Sequence, residues 1–382
     1  MRELGSFLPD GVSYGIVQPG PHIPNGVPIV RAGDVSRGGI RWQDPLRVDP
    51  AIAARFSRTE LAGGELLLTV VGSPGQSAIA PAKLAGWNVA RAVAVLRPHG
   101  LDVRWLHYYL GTDSMQGQIH SRENTTVQAT LNLEDVKRLQ IPDLPFAEQQ
   151  AIAEVLGALD DKIAANYTLA TKSDGLIRAL FVATSQSSDE RTIDSICASP
   201  RHHVHPSRAT GFYVGLEHLP RRHMWLHERG DAAEVASAKS SFERGDVLFG
   251  KLRPYFHKVV SAPASGICST DILVLRAKDP ALQGFILAAA SSDSVVASAT
   301  ASSAGTKMPR TSWSDLRACT VPWPEEAGAL ELSARVMELR EATEAAVRES
   351  RTLATLRDTL LPALMDGTLR VKDAIAQAEE VL

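Results

Sequence analysis

The sequence has 382 residues, 44% of them hydrophobic and 22% charged, with a net charge of −3. That is length enough for two or more domains with cores of their own, and the composition is that of an ordinary globular protein. The charge excludes a globally cationic nucleic-acid binder, so any basic binding surface must be local or supplied by a partner.

Three cysteines, Cys197, Cys268 and Cys319, are odd in number and lack CxxC spacing. They read as packing residues in a reduced, cytoplasmic setting. The opening MRELGSFLPDG has no basic region leading into an apolar core, so no signal peptide is expected. No run of about 18 apolar residues predicts a membrane span.

Residues 1–144 read as strands and turns. VPIVRAGDV, GELLLTVVGSPG and VARAVAVLRP are short β-rich runs punctuated by Gly, Pro and Asp. WLHYYL then predicts a helix, and LNLEDVKRLQIP a short helix leading into a strand. From Pro145 to Phe181 the pattern changes. Ile152, Val155, Leu156, Leu159, Ile163, Leu176, Ile177 and Leu180 recur at spacings of three and four, the stripe of an amphipathic helix. Pro145 suits a helix start and Glu148 complements the dipole in the first turn. At ~1.5 Å per residue this helix is on the order of 50 Å long, and its segment is taken as 145–185.

Residues 186–324 repeat the programme of the first segment. FYVGLEHL, RGDVLFGKLRPYFHKVV and TDILVLRA are the strands and FILAAASS the helical piece. With a shift of about 180 residues, Gly64-Glu65-Leu66-Leu67 falls near Gly245-Asp246-Val247-Leu248 and Val95-Leu96-Arg97 near Val274-Leu275-Arg276. Thr126 falls on Thr306, Asp135 on Asp315, and Ile141-Pro142 on Val321-Pro322. A period this long is a duplicated domain rather than a solenoid. A second long helical segment, 325–371, carries Leu332, Val336, Leu339, Ala346, Leu353, Leu356, Leu360 and Leu364 with Glu and Arg between them, and 372–382 is left as a tail. Two matching helices suggest an antiparallel, coiled-coil-like pair. The fold class is therefore α+β: two duplicated, β-rich domains (1–144 and 186–324), each followed by a long helix. Helix pattern alone also fits core helices or a nonspecific coiled coil.

No catalytic constellation stands out. There is no GxGxxG or GxxxxGK[ST] loop and no Asn/Asp-Pro-Pro-Tyr stretch. Gly72-Ser73-Pro74-Gly75 reads as a turn rather than a phosphate cradle. His202, His203 and His205 lack an acidic or cysteine partner at ligand spacing, so a loop cluster is favoured over a metal site. No catalytic residue and no metal ligand is assigned.

If the chain binds DNA, its contacts would draw on Arg and Lys for phosphates and guanine edges, Asn and Gln for adenine, and Ser and Thr for either. In the second half Lys251, Arg253, Tyr255, His257 and Lys258 crowd one strand and turn. Strand alternation puts Lys251, Arg253 and Tyr255 on one face, with Pro254 a sign that the strand bends or ends. Thr306, Lys307 and Arg310 crowd a second, Gly-containing loop. In the first half Arg122, Asn124, Thr125, Thr126 and Gln128 occupy the equivalent of the 305–310 loop. Arg31 and Arg91 serve either the same purpose or internal pairs, such as Arg31 with Asp34. Solvated surface is the alternative for each basic residue.

The order of elements, the phrase IPDLPFAEQQAIAEVLGALDDKI before the first helix, RGDVLFGKLRPYFHKVV and GTKMPRTSW in the second half, and LRDTLLPALMDGTLRV at the end resemble the specificity (S) subunit of type I restriction-modification systems, over roughly residues 1–371. The resemblance implies two target recognition domains reading a split DNA site around a pseudo-twofold axis. The paired helices, with Ile152, Leu156, Leu159, Ile163, Leu332, Leu339, Leu353 and Leu360 as their stripe, then act as a ruler. It also implies double-stranded DNA, two DNA adenine methyltransferase (M) subunits and restriction/translocase (R) subunits as partners. S-adenosylmethionine, ATP and magnesium belong to those partners and no cofactor to this chain. GELLLTVVGSPGQSAIAP in the first half against GDVLFGKLRPYFHKVV in the second implies two different half-sites. A protein-binding coiled-coil scaffold and a self-contained methyltransferase or nuclease are the alternatives.

Overall fold

The computed structural model describes residues 1–36, 38–123, 128–184, 189–200, 202–205, 211–305 and 307–380. The chain divides into two units, Met1–Asp160 with Ala354–Leu382, and Asp161–Leu353.

In the first unit, Leu66–Thr69 is a central strand buried at all four positions. An apolar run covered on both faces needs no polar alternation, which is why LLLT can be a strand. It pairs antiparallel with Val93–Leu96 and Ser77–Ile79, and Ser13–Tyr14 completes a four-stranded sheet. A second sheet has the order Leu46–Val48, Val27–Val30, Asn88–Val89, the last pair parallel. Leu67, Ala78, Val93 and Val95 from the first sheet pack against Val30 and Val89 from the second. Helices Val103–Leu110 and Asp113–His120 follow, their first turns capped by Asp102, which accepts from the Trp105 amide, and Thr112, which accepts from Met115. A short helix Leu133–Lys137 then leads into Gln140–Ile141, which pairs with Arg2–Glu3.

The second unit repeats this plan. Cys197–Ala198, Ile272–Ala277, Val247–Gly250 and Val259–Ser261 form a sheet of the same order, with Val247 opposite Leu275 as Leu66 is opposite Leu96. Its other sheet has five strands, including a parallel pair, Phe212–Val214 with Gly266–Cys268. Helices Gln283–Ala290, Asp293–Ala301 and Trp313–Arg317 follow, then Thr320–Pro322 paired with Glu190–Thr192. The correspondence extends to single hydrogen bonds. The Ala80 amide donates to the Glu65 carbonyl and the Ala262 amide to that of Asp246, both at 2.8 Å.

The long helices are Phe146–Thr184 and Glu326–Met365. Within the second unit they run antiparallel: Asn166 Nδ2 donates to Glu349 Oε2 at 2.6 Å and Thr343 Oγ1 to Ser173 Oγ at 2.9 Å. These contacts are polar, and much of the apolar stripe turns instead into the globular core. Ile177, Phe181, Ala329, Leu332 and Val336 pack with Phe249, Leu275 and Phe285. Ile152, Leu156, Leu159, Leu353 and Leu360 are buried, while Ile163 and Leu339 are half-buried.

Leu176 departs from the expected stripe: it is 47% exposed while its neighbour Ile177 is fully buried. Adjacent helical residues point about 100° apart, so only one of the two can face the core. The expected tail also differs, since Val371–Glu379 is a helix with Ala374 buried.

Candidate nucleic-acid interface

In the second unit the central strand ends at Gly250. The chain then turns rather than continuing as a strand, so alternation does not place Lys251, Arg253 and Tyr255 on one face. Arg253 and His257 adopt left-handed backbone, φ 51° and 53°, on either side of a single tight turn, Pro254–Phe256. His257 is buried, and its Nε2 lies 2.8 Å from the Ser291 carbonyl oxygen. Burial holds its pKa below the ordinary histidine value, and because a carbonyl oxygen only accepts, Nε2 is the donor in that bond.

This turn is tied to the loop before Trp313–Arg317. The Arg253 amide donates to the Pro309 carbonyl at 2.7 Å and the Thr311 amide to that of Lys251 at 3.1 Å. The pairing brings Lys251, Arg253 and Tyr255 together with Lys307 and Arg310. Tyr255, Lys307, Met308 and Arg310 are exposed. Arg310 Nη2 lies 3.3 Å from Asp271 Oδ2, and Lys251 Nζ donates to the Thr270 carbonyl at 2.5 Å. Arg221, unmarked by any local pattern, stacks over the Phe256 ring at 3.8 Å. Lys258 donates to the Leu216 carbonyl, and burial lowers its pKa.

The first unit makes the same loop pairing with different residues. The Gly72 amide donates to the Ala129 carbonyl at 2.9 Å and the Leu131 amide to that of Val70 at 2.8 Å. Gly72 and Gly75, with φ 90° and 91°, supply the left-handed positions. The Gly72–Gly75 segment is a turn, held by Thr69 Oγ1 donating to the Ser73 carbonyl and Gln116 Nε2 to that of Gly75. Gln128 is exposed beside Gly72. Arg122 curls back, its Nη1 donating to the Gln118 carbonyl at 2.9 Å. Arg31 pairs with the buried Asp34 at 2.9 Å, the internal alternative for that residue.

A family model described as "Type I restriction modification DNA specificity domain" matches residues 23–171. Residues 23–171 are thus similar to a type I restriction-modification DNA specificity domain. A curated relative, the type I restriction enzyme EcoBI specificity subunit of Escherichia coli, is 30% identical over 139 residues, 36% of this chain. The chain spans only 29% of that relative's length in the match. The S subunit from M. genitalium, 17% identical, superposes over 95% of both chains at a TM-score of 0.58, so the S-subunit fold extends beyond the matched specificity domain. HsdS from Thermoanaerobacter tengcongensis, 15% identical, aligns over 96% of both chains at a TM-score of 0.37, too loosely to add to this.

Of the candidate residues in and beyond the specificity domain, Asn124, Thr125, Thr126 and Thr306 lie outside the described residues. Among the described residues no three His, Cys, Asp or Glu side chains converge as a metal site would require. Cys197, Cys268 and Cys319 are buried free thiols. Burial pushes the first two up to about 12 and also raises Cys319, which makes them packing groups rather than nucleophiles. Arg221, Phe256 and Met308 escaped the sequence reading because their relation to the turn exists only in three dimensions.

Proposed function

We propose that this chain is the noncatalytic DNA-recognition subunit of a type I restriction-modification complex, acting in the cytoplasm. Each globular domain reads one half of a bipartite, gapped site in double-stranded DNA. The observation that carries this reading is the duplicated loop pair, Val71 with Thr130 and Leu252 with Arg310, the same scaffold carrying different side chains. Duplicated scaffolds with divergent loops suit two half-sites of different sequence, because loops carry specificity while the scaffold holds them.

The long helices and adjoining domain faces dock two adenine methyltransferase subunits, and through them the restriction/translocase subunits. S-adenosylmethionine, ATP and magnesium bind to those partners. The net charge of −3 makes the partners the main source of phosphate attraction, so the isolated chain binds DNA weakly.

The test is a genome-wide map of methylated bases with this gene present and deleted. Loss of methylation at one split motif is expected. A motif set unchanged by deletion, in cells where the complex is expressed and no other S subunit is present, overturns the proposal.

A further inference from the structure

Arg253 sits at a position that destabilises the fold in two ways. Its left-handed backbone, φ 51°, is strained for any residue with a Cβ. The equivalent position in the first unit, fixed by the same amide-to-carbonyl bond across the loop pair, is Gly72, which adopts φ 90° without strain. Counting back from the paired strands, Gly75 corresponds in the same way to His257. For His257 the structure supplies a reason, since its ring is buried and bonded to Ser291. For Arg253 it does not. Its Nε is buried and, among the described residues, has no hydrogen-bond partner, a second destabilising feature.

The neighbouring cations differ. Lys251 is engaged by the Thr270 carbonyl and Arg310 by Asp271. Arg253 instead borders a groove formed with Leu216, Leu252, Phe256, Lys258 and Met308, its guanidinium carbon 5.8 Å from the Phe256 ring centroid. Tyr255 and Met308 are 50% and 53% exposed. A phosphate makes no use of such apolar neighbours, whereas the flat face and edge of a base do. The guanidinium fork matches the O6 and N7 acceptors of guanine.

We propose that Arg253 is a specificity-determining residue whose guanidinium reads a guanine edge in the half-site bound by the second unit, its left-handed backbone aiming the fork. This rests on the DNA-recognition reading above. The strain persists because a glycine here would relieve it and lose the fork.

The test expresses the full chain with the methyltransferase subunits of its own system in a host without that methylation, and maps methylated bases for wild type, Arg253→Gly and Arg253→Lys. Arg253→Gly is expected to keep or raise the thermal midpoint while reducing discrimination at one guanine position of one half-site about ten- to hundredfold. The other half-site stays intact. Arg253→Lys is expected to relax the same position, because an ammonium lacks the fork. Full discrimination by Arg253→Lys, a uniform loss across sequences as for a phosphate contact, or an unchanged motif in Arg253→Gly each overturns the inference while leaving the recognition reading standing. A wild-type complex that methylates no gapped motif overturns both.

Discussion

Arg276 forks onto Asp246, Nε to Oδ1 and Nη2 to Oδ2, each at 2.7 Å. The first unit repeats this pair with Arg97 and Glu65 at 3.1 Å. In both, the acid follows the glycine that opens the central strand, and the arginine lies on or just beyond the strand paired with it. The Asp246 side chain is 3% exposed and also accepts from the Glu243 amide at 2.7 Å. Asp246→Ala is therefore expected to destabilise the second unit by about 2–4 kcal/mol. Urea unfolding measures the loss, and hydrogen exchange should show reduced protection centred on Val247–Gly250 and Ile272–Ala277. Asp246→Glu, which borrows the acid of the first unit, should recover part of it.

The second long helix holds a buried ion pair. Arg340 Nε lies 2.7 Å from Glu344 Oε1, with both side chains about 95% buried, and Ser261 Oγ donates to the same oxygen at 2.9 Å. Removing one partner strands the other charge. Arg340→Ala is expected to cost about 3–5 kcal/mol, and the double change Arg340→Met with Glu344→Leu much less. A double-mutant comparison of unfolding midpoints decides this. Equal losses for the single and double changes would contradict it.

Gly284 sits where helix Gln283–Ala290 meets the second long helix. A methyl group there would overlap the Ser333 carbonyl oxygen, and Ser333 Oγ accepts from the Gly284 amide at 3.0 Å. Gly284→Ala gains intrinsic helix propensity yet is expected to lower stability by about 1–3 kcal/mol through overpacking. A raised thermal midpoint would show that the helices can separate without cost.

Two buried carboxylates make the first unit acid-sensitive. Burial pushes Glu65 upward, but the Ala62 amide and Arg97 outweigh it and hold its pKa below 4.5. Asp34 behaves likewise: burial is outweighed by Arg31 and Arg41. A depressed folded-state pKa contributes stability that is present above the unfolded value and is lost as pH falls through the folded one. Stability from these two groups should thus be constant from neutral pH down to about pH 5 and decline below it. Glu65→Gln should be less stable than wild type at neutral pH and lose less on acidification. Unfolding midpoints across that range measure both effects.

Much of this architecture was legible before any coordinates. The three- and four-residue spacing of Ile152 to Ile163 and of Leu332 to Leu364 announced the long helices, and the spacing from Gly64-Glu65 to Gly245-Asp246 announced the duplication. Leu176 against Ile177 was not legible, because both fit a helical stripe and the choice depends on which face meets the domain core. The turn at Arg253 was legible only in part: Pro254 marked a bend or an end, while strand alternation pointed to an extended chain.

The sequence by itself determined the helices, the short strands and their repetition, because periodicity follows from the pitch of the backbone and is written in neighbouring residues. Only the tertiary structure decided which loops meet, that Arg221 covers Phe256, and that Arg253 takes a conformation its counterpart leaves to glycine. Those outcomes depend on hydrogen bonds and packing between segments about 35 to 60 residues apart, such as Arg253 to Pro309, and no local pattern encodes them.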